Sequence, residues 1–475
     1  MIDQSNERSV FSAWSLRKYF SSSTSKDDEE LLEGRDPGKF PDLATPKSLL
    51  LKSINDYDED ADQFAYAKYS KWYVDYLHTC IEALLANEEW HPILSQLYRD
   101  DEGRPKPSLG IYQELYNALV NAANVLNSDN ASVQNVASQL SSNIEILEGD
   151  ERFQGACYQL SFKLISWLTM LYTTSDSPCE HGFQLSLHNS PDLRSASWWR
   201  LKCAITEDTI SQPLRHLLPH FGDLLPQPLP PLNARRNDSS FRLDSIISAN
   251  LSYYTLSNVA EIRVVWVDAL SLHLEFDERT AILKLFRYPS FCAMLCVGQV
   301  PRQTVFSKIF SNFDAMSDSS HTPSTLNSEE NHPYSQAYFK EVLFSYYIIF
   351  GQHQRARNGY KTMRPNPSED PLLDNLCTNT SHPIYSQISV PTMKTVYSAR
   401  NDFPSIGARL LKVHDYVETR NPSDLRTLMH DRRDLLRFYT FWAVVVVGGF
   451  GILLGLLQFF TGIVQIILAA IALRS

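Results

Sequence analysis

The sequence predicts a mainly α protein: a helical cytosolic body with a small embedded β element, and one C-terminal transmembrane helix. Three observations carry this. Apolar residues recur at three- and four-residue steps through much of the region from about 46 to 175. Short runs rich in β-branched and aromatic residues are confined to about 258–297. The stretch from Phe438 to Leu473 passes without a charged side chain, where a helix needs about 20 apolar residues to cross a hydrocarbon core roughly 30 Å thick.

Taken in order, residues 1–45 read as a disordered N-terminal segment. They hold Ser21, Ser22, Ser23, Thr24 and Ser25, the acidic run Asp27-Asp28-Glu29-Glu30, and Gly34, Pro37, Gly38 and Pro41, a composition too polar to bury a core. A helical domain follows over 46–310. One stripe is Tyr69, Tyr73, Tyr76, Leu77, Cys80, Ile81 and Leu84; a second is Cys157, Leu160, Leu164, Ile165, Leu168 and Leu171. The second carries Lys163 and is too short to span a bilayer, so a buried core helix is expected. Prolines crowd 176–240, ending in Pro226-Gln227-Pro228-Leu229-Pro230-Pro231, which predicts short helices and polyproline stretches there.

The β element is expected near 260–290. Ile262–Val267, Leu272–Phe276 and Ala281–Phe286 have strand composition, and Asp277-Glu278-Arg279-Thr280 reads as a hairpin turn between the last two. Residues 311–334 form a polar linker, and 335–436 a helical pre-membrane region. Within that region a helix over Tyr338–Phe350 is expected to end at Gly351 as its C-cap. A proline-broken loop covers about 362–404, and a helix runs from Ser405 to Thr419. A further start signal stands at Asn421, with Pro422 at the first helical position and Asp424 in the first turn.

Composition excludes some roles. A net charge of −11 lacks the basic footprint that nucleic acid requires, so no nucleic-acid partner is expected. The N-terminal residues Met1–Glu7 have neither a basic nor an apolar region, which argues against a secretory signal. The seven cysteines are odd in number, and only Cys292 and Cys296 are close in sequence. Reduced thiols are the expectation. The Asn-x-Ser sequons at Asn130, Asn237, Asn250 and Asn379 then have no bearing on a cytosolic body.

Three patterns suggest chemistry and fail on their own requirements. Asp56, Asp58, Asp60 and Asp62 have calcium-loop spacing, but Ala61 and Ala67 stand where the loop needs Gly and Glu. His216 and His220 are four apart, yet Pro219 lies between them and no Glu base accompanies them. The PxxP core at Pro228–Pro231 has Arg235 and Arg236 too far downstream for the usual ligand orientation. No catalytic residue, cofactor-binding residue or metal ligand is assigned, and no cofactor is expected. Two function classes remain: a non-catalytic interaction module tethered to a membrane, or a membrane-surface enzyme with an unrecognised site.

Several stretches together resemble a set of fungal membrane-anchored proteins of unknown function. They are Trp266-Val267-Asp268, His273–Asp277, Leu285–Cys292, Ile349–Gln352, Asp402-Phe403-Pro404, and Asp431–Asp434 followed by Arg437–Ala443. The resemblance covers roughly 240–470. It implies a filamentous-fungal origin and a C-terminal anchor, and brings no catalytic residue.

The anchor itself has a direction and a pattern. Arg420, Arg426, Arg432, Arg433 and Arg437 precede it and Arg474 alone follows, so the bulk of the chain is expected in the cytosol. Arg432, Arg433, Arg437, Tyr439 and Trp442 mark the near interface, with Phe438 and Phe441 beside them. With only Arg474 and Ser475 after the span, a tail anchor is expected, as one tilted helix; a re-entrant hairpin turning near Thr461-Gly462 is the alternative. Gly448, Gly451, Gly455, Gln458, Gly462, Gln465, Ala469 and Ala472 follow one another at alternating steps of three and four. Such spacing lies on one seam of a 3.5-residue period, the geometry of left-handed helix pairing. The lipid bilayer is therefore the expected partner, with self-association or pairing to another membrane helix through this seam.

Overall fold

Helix α1 (Gln63–Ala86) shows how the sequence builds the body. Tyr69, Tyr73, Leu77, Ile81 and Leu84 stand three or four apart and are buried, while Lys71, Asp75 and Glu82 face solvent. The computed structural model describes residues 50, 63–99, 103–128, 130–140, 151–178, 182–186, 200–221, 244–296, 334–365, 370–378, 383–388, 393–420 and 435–472. The segment 1–45, the acidic run 56–62, the polyproline cluster, the linker up to 333 and the Asn421 start signal lie outside the described residues.

Among the described residues, α1 is followed by α2 (His91–Leu97), α3 (Ser108–Leu126), α4 (Val133–Leu140) and α5 (Glu151–Thr169). As expected, α5 is a core helix, buried almost along its whole length. Met170 ends it with a left-handed backbone, φ 50°, so the chain turns back at once. The next carbonyls then accept hydrogen bonds from Leu270 and Ser271, at 2.8 and 3.2 Å.

The region 176–240 departs from expectation. Its described residues add an antiparallel sheet that was not expected, in which β1 (Thr173–Thr174) pairs with β2 (Gly182–Ser186) and β2 with β3 (Arg200–Ala204). The driving contact is tertiary: Phe183 and Leu185 on β2 are buried, and Phe183 packs on Phe162 of α5. Short helices α6 (Glu207–Ser211) and α7 (Leu214–Leu217) follow, as expected there.

The second half opens with β4 (Ser245–Ile247), α8 (Ser248–Leu251) and α9 (Tyr253–Asn258). The β element appears where its composition places it, as β5 (Arg263–Val267), β6 (Phe276–Asp277) and β7 (Ile282–Phe286). The hairpin turn forms, closed by the Asp277 carboxylate, which accepts from the Arg279 N–H at 3.0 Å and the Thr280 hydroxyl at 2.7 Å. The strand order β5-β7-β6 was not legible: β5 runs parallel to β7. A parallel pair needs a long crossover, and 268–281 supplies it. All five residues of β7 are buried, the mark of a central strand.

The remaining elements among the described residues are α10 (Pro289–Cys296), α11 (Tyr334–Tyr346), α12 (Gln354–Met363), α13 (Pro371–Thr378), α14 (Ile384–Gln387), β8 (Val396–Ser398), α15 (Gly407–Thr419) and α16 (Leu435–Ala472). β8 pairs antiparallel with β4. Two expectations need correction here. Gly351 is not a left-handed cap: it closes a π turn, Tyr347–Gly351, at the end of α11. Glycine is required because a Cβ there would stand 2.6 Å from the Tyr347 ring. The loop expected over 362–404 contains α13, α14 and β8, since Leu372, Leu373, Leu376 and Cys377 find a buried face against the π turn and α10. The helix expected from Ser405 begins two residues later, at Gly407.

One contiguous apolar core joins Leu50, α1 to α5 and the elements through Val417 of α15. All eight residues of α10 are buried, and α10 packs against α1, α11 and α13. Close approach elsewhere depends on glycine: a Cβ at Gly407 would collide with the Ala399 carbonyl, whereas one at Gly448 would meet nothing within 4 Å. Gly407→Ala is therefore expected to destabilise the body by about 1–3 kcal/mol. Gly448→Ala should leave body stability unchanged, and urea denaturation of the two detergent-solubilised variants checks the contrast.

Candidate functional site

Among the described residues, one helix is long and apolar enough to cross a membrane: Trp442–Leu468, 27 residues within α16, none of it buried inside the protein. Isoleucines, leucines, valines and phenylalanines are exposed all round it, Val447 at 71% and Ile466 at 72%. An apolar surface of this extent marks a lipid or protein contact rather than a water-facing one. The helix is continuous from Leu435 to Ala472, so no turn forms at Thr461-Gly462. The Thr461 hydroxyl donates back to the Leu457 and Gln458 carbonyls at 3.1 and 2.9 Å, the ordinary arrangement inside a membrane helix. At 1.5 Å per residue the 27 residues reach about 40 Å, longer than a hydrocarbon core of roughly 30 Å, a mismatch that tilt can absorb.

The seam residues all lie on this helix. Gly448, Gly451, Gly455 and Gly462 have open space at the position of a Cβ, and Gln458 and Gln465 are exposed. Ala469 shares the helix, although its side chain lies outside the description. Of the interface residues, Tyr439 is exposed and Trp442 half-buried. Arg437 belongs to α16 by its backbone only, and Arg432 and Arg433 fall outside the described residues.

Four body glycines differ from those of α16 in what surrounds them. At Gly182, Gly351, Gly359 and Gly407 the fold itself forbids a side chain. No intramolecular contact requires glycine in α16, where each one weakens helix propensity by up to about 1 kcal/mol relative to alanine in water.

In the body, four buried ionisable groups stand out, and each is bound into the fold. Lys163 on α5 donates to the Ser175 carbonyl at 3.0 Å and stands 3.8 Å from the Asp176 carboxylate. Burial lowers its pKa, against the pull of Asp176. It borders a small recess lined also by Trp90, Gln159 and Phe183, and its amine points at a backbone oxygen.

His273 and Ser345 are 2.8 Å apart and fully buried, a pairing that invites a nucleophile reading. The second ring nitrogen, Nδ1, accepts the Phe286 N–H at 3.2 Å, so Nε2 carries the proton and donates it to the serine. Ser345 in turn donates to the Val342 carbonyl at 2.7 Å. The polarity is opposite to that of a catalytic base. Burial, with the nearby Arg409 guanidinium, pushes the His273 pKa down to about 3.

Glu341 and Asp370 are buried carboxyls at helix N-termini. Glu341 on α11 accepts from the Ser405 and Ile406 N–H groups, at 3.0 and 2.8 Å, at the start of α15. Asp370 accepts the Ser290 hydroxyl at 2.6 Å, the Ser290 N–H at 2.8 Å and the Leu372 N–H at 2.8 Å. It thereby caps α10 and α13 together. Burial raises Glu341 to about 8 and Asp370 to about 7, with these hydrogen bonds opposing the shift.

The described cysteines Cys80, Cys157, Cys203, Cys292, Cys296 and Cys377 are unpaired. Burial pushes the thiols of Cys80, Cys157 and Cys296 to about 12, which suits packing and not nucleophilic attack. His216 is exposed on α7, beside Arg215, and the side chain of His220 lies outside the description. No protein-family model, curated protein or solved structure matches the chain.

The carboxyls set a pH dependence. With folded pKa values above the ordinary ones, Glu341 and Asp370 bind more protons in the folded state, so stability falls as pH rises toward 8. His273 acts oppositely, costing stability only as pH falls below its ordinary 6.5. Between pH 6.5 and 8 the carboxyls therefore dominate among these three. The urea midpoint of the wild type should fall across that window, and Glu341→Gln should remove on the order of 1–2 kcal/mol of the loss. A Glu341→Gln profile parallel to the wild type contradicts the assignment.

Proposed function

We propose that this chain is a single-pass membrane protein whose helical body works at the cytosolic face as a non-catalytic interaction module. The observation that carries the reading is the span Trp442–Leu468, long, strongly apolar and unburied by its own protein. The arginines at 420, 426, 432, 433 and 437 support a cytosolic body. The non-catalytic part rests on Lys163, His273, Glu341 and Asp370, whose hydrogen bonds all lead to backbone or to a neighbouring side chain. The likeness to fungal membrane-anchored proteins rests on the residues given above and joins the same reading.

Topology is tested in ER-derived microsomes. An N-glycosylation acceptor appended after Ser475 is expected to be modified, while the native sequons at Asn130 and Asn250 in the body stay unmodified. Glycosylation of the body sequons reverses the orientation, and release of the protein by alkaline carbonate removes the span.

The same reading assigns the seam to helix pairing, a second copy being the simplest partner. Glycines that no internal contact requires are explained by a backbone approaching from outside, as in Gly451-x-x-x-Gly455. Gln458 and Gln465, seven apart, then hydrogen-bond across the pair, each bond worth about 0.6–2 kcal/mol. In a transmembrane association reporter, replacing Gly455 and Gly462 by Ile should abolish the signal, while Ala at Leu456 and Ile463 should not. A monomeric span, or equal behaviour of the two double variants, removes the seam from the account.

A further inference from the structure

The last turns of α15 bring three donor side chains together. A ring nitrogen of His414 and carboxylate oxygens of Asp415 and Glu418 lie within 4.8 Å of one another. Two of these residues are four apart on one helix, a spacing that brings side chains to the same face. Histidine and carboxylate ligands together suit zinc and its first-row neighbours better than calcium or magnesium.

A chance meeting of acidic side chains would not by itself indicate a ligand. The second observation is His414, which is only 4% exposed. Its Nδ1 has no hydrogen-bond partner, and the nearest carboxylate oxygen, on Asp415, is 3.7 Å away, too far to accept a hydrogen bond. A buried ring nitrogen is thus left unsatisfied on the side where the carboxylates gather. At zinc bond lengths of roughly 2.0–2.1 Å, a separation of 3.7 Å corresponds to an angle of about 130° at the metal. Glu418 is exposed and able to change rotamer to complete the set.

The other ring nitrogen has the support that a metal-bound imidazole needs. Nε2 lies 3.1 Å from the side-chain amide of Asn250 on α8, a buried residue whose own Oδ1 has no partner. Amide oxygen and nitrogen are distinguished only by their hydrogen bonds. With the oxygen turned to the ring, Asn250 accepts the Nε2 proton, and Nδ1 presents its lone pair toward Asp415 and Glu418. That is the outer-shell arrangement which fixes the tautomer of a ligating histidine.

We propose that His414 Nδ1, Asp415 and Glu418 bind a divalent first-row transition metal, represented by Zn²⁺, with Asn250 orienting the imidazole. Three ligands from one helix leave coordination positions for water or for a donor from a partner.

The test uses the full chain in detergent, without a histidine tag and stripped by chelator, titrated with Zn²⁺ by calorimetry and with Co²⁺ by visible absorption. One equivalent of Zn²⁺ should bind, and X-ray absorption should report a single imidazole among oxygen ligands. Glu418→Gln and Asp415→Asn should each weaken binding by about tenfold or more, with unchanged far-UV circular dichroism. His414→Ala disturbs a buried position, so the two carboxylate variants carry the decision. Failure of the wild type to bind one equivalent overturns the proposal, and so does equal affinity in wild type and both carboxylate variants. Mg²⁺ or Ca²⁺ displacing Zn²⁺ at equal concentration overturns the choice of metal.

Discussion

The body depends on burying the start of a helix without leaving its amide groups unpaired. Helix α10 has no exposed residue, so water cannot reach the N–H groups that every helix start leaves free. An unpaired buried group costs about 1–3 kcal/mol. Asp370 removes that cost for α10 through Ser290, and serves α13 through Leu372. Because α10 packs against α1, α11 and α13, this carboxyl couples elements far apart in the chain. Glu341 repeats the device between α11 and α15.

A carboxyl is an expensive cap in an apolar setting, and that is why both groups have raised pKa values. The same desolvation acts on Lys163 and His273 with the opposite sign, favouring their neutral forms. Perturbed groups of this kind often mark active sites. Here geometry separates the cases, because the hydrogen bonds of all four lead to backbone or to a side chain that is itself engaged. His414 differs, in that one of its ring nitrogens is satisfied by nothing in the fold.

Helix α16 follows a different pattern. At Gly182, Gly351, Gly359 and Gly407 in the body, a neighbouring backbone or ring presses against the Cα, as at Gly407 beside Ala399. In α16 glycine recurs with open space around it, and apolar side chains are exposed on the remaining faces. In hydrocarbon those faces incur no hydrophobic penalty, while every backbone amide is satisfied within the helix.

The sequence by itself determined whatever depends on neighbours within a turn or two. The stripes of α1 and α5, the composition of β5 and β7, the Asp277 turn and the span with its glycine seam were all legible, because periodicity and capping act over a few residues. Only the tertiary structure decided the parallel pairing of β5 with β7, the sheet at 173–204, helix α13 in a proline-rich region, and the use of Gly351 to clear the Tyr347 ring. The proposed metal cluster divides along the same line. Its spacing, His414-Asp415-x-x-Glu418, stands in the sequence, but the isolation of the ring depends on burial against Asn250, 164 positions away. No local pattern encodes that meeting, because it exists only once the core has closed around both residues.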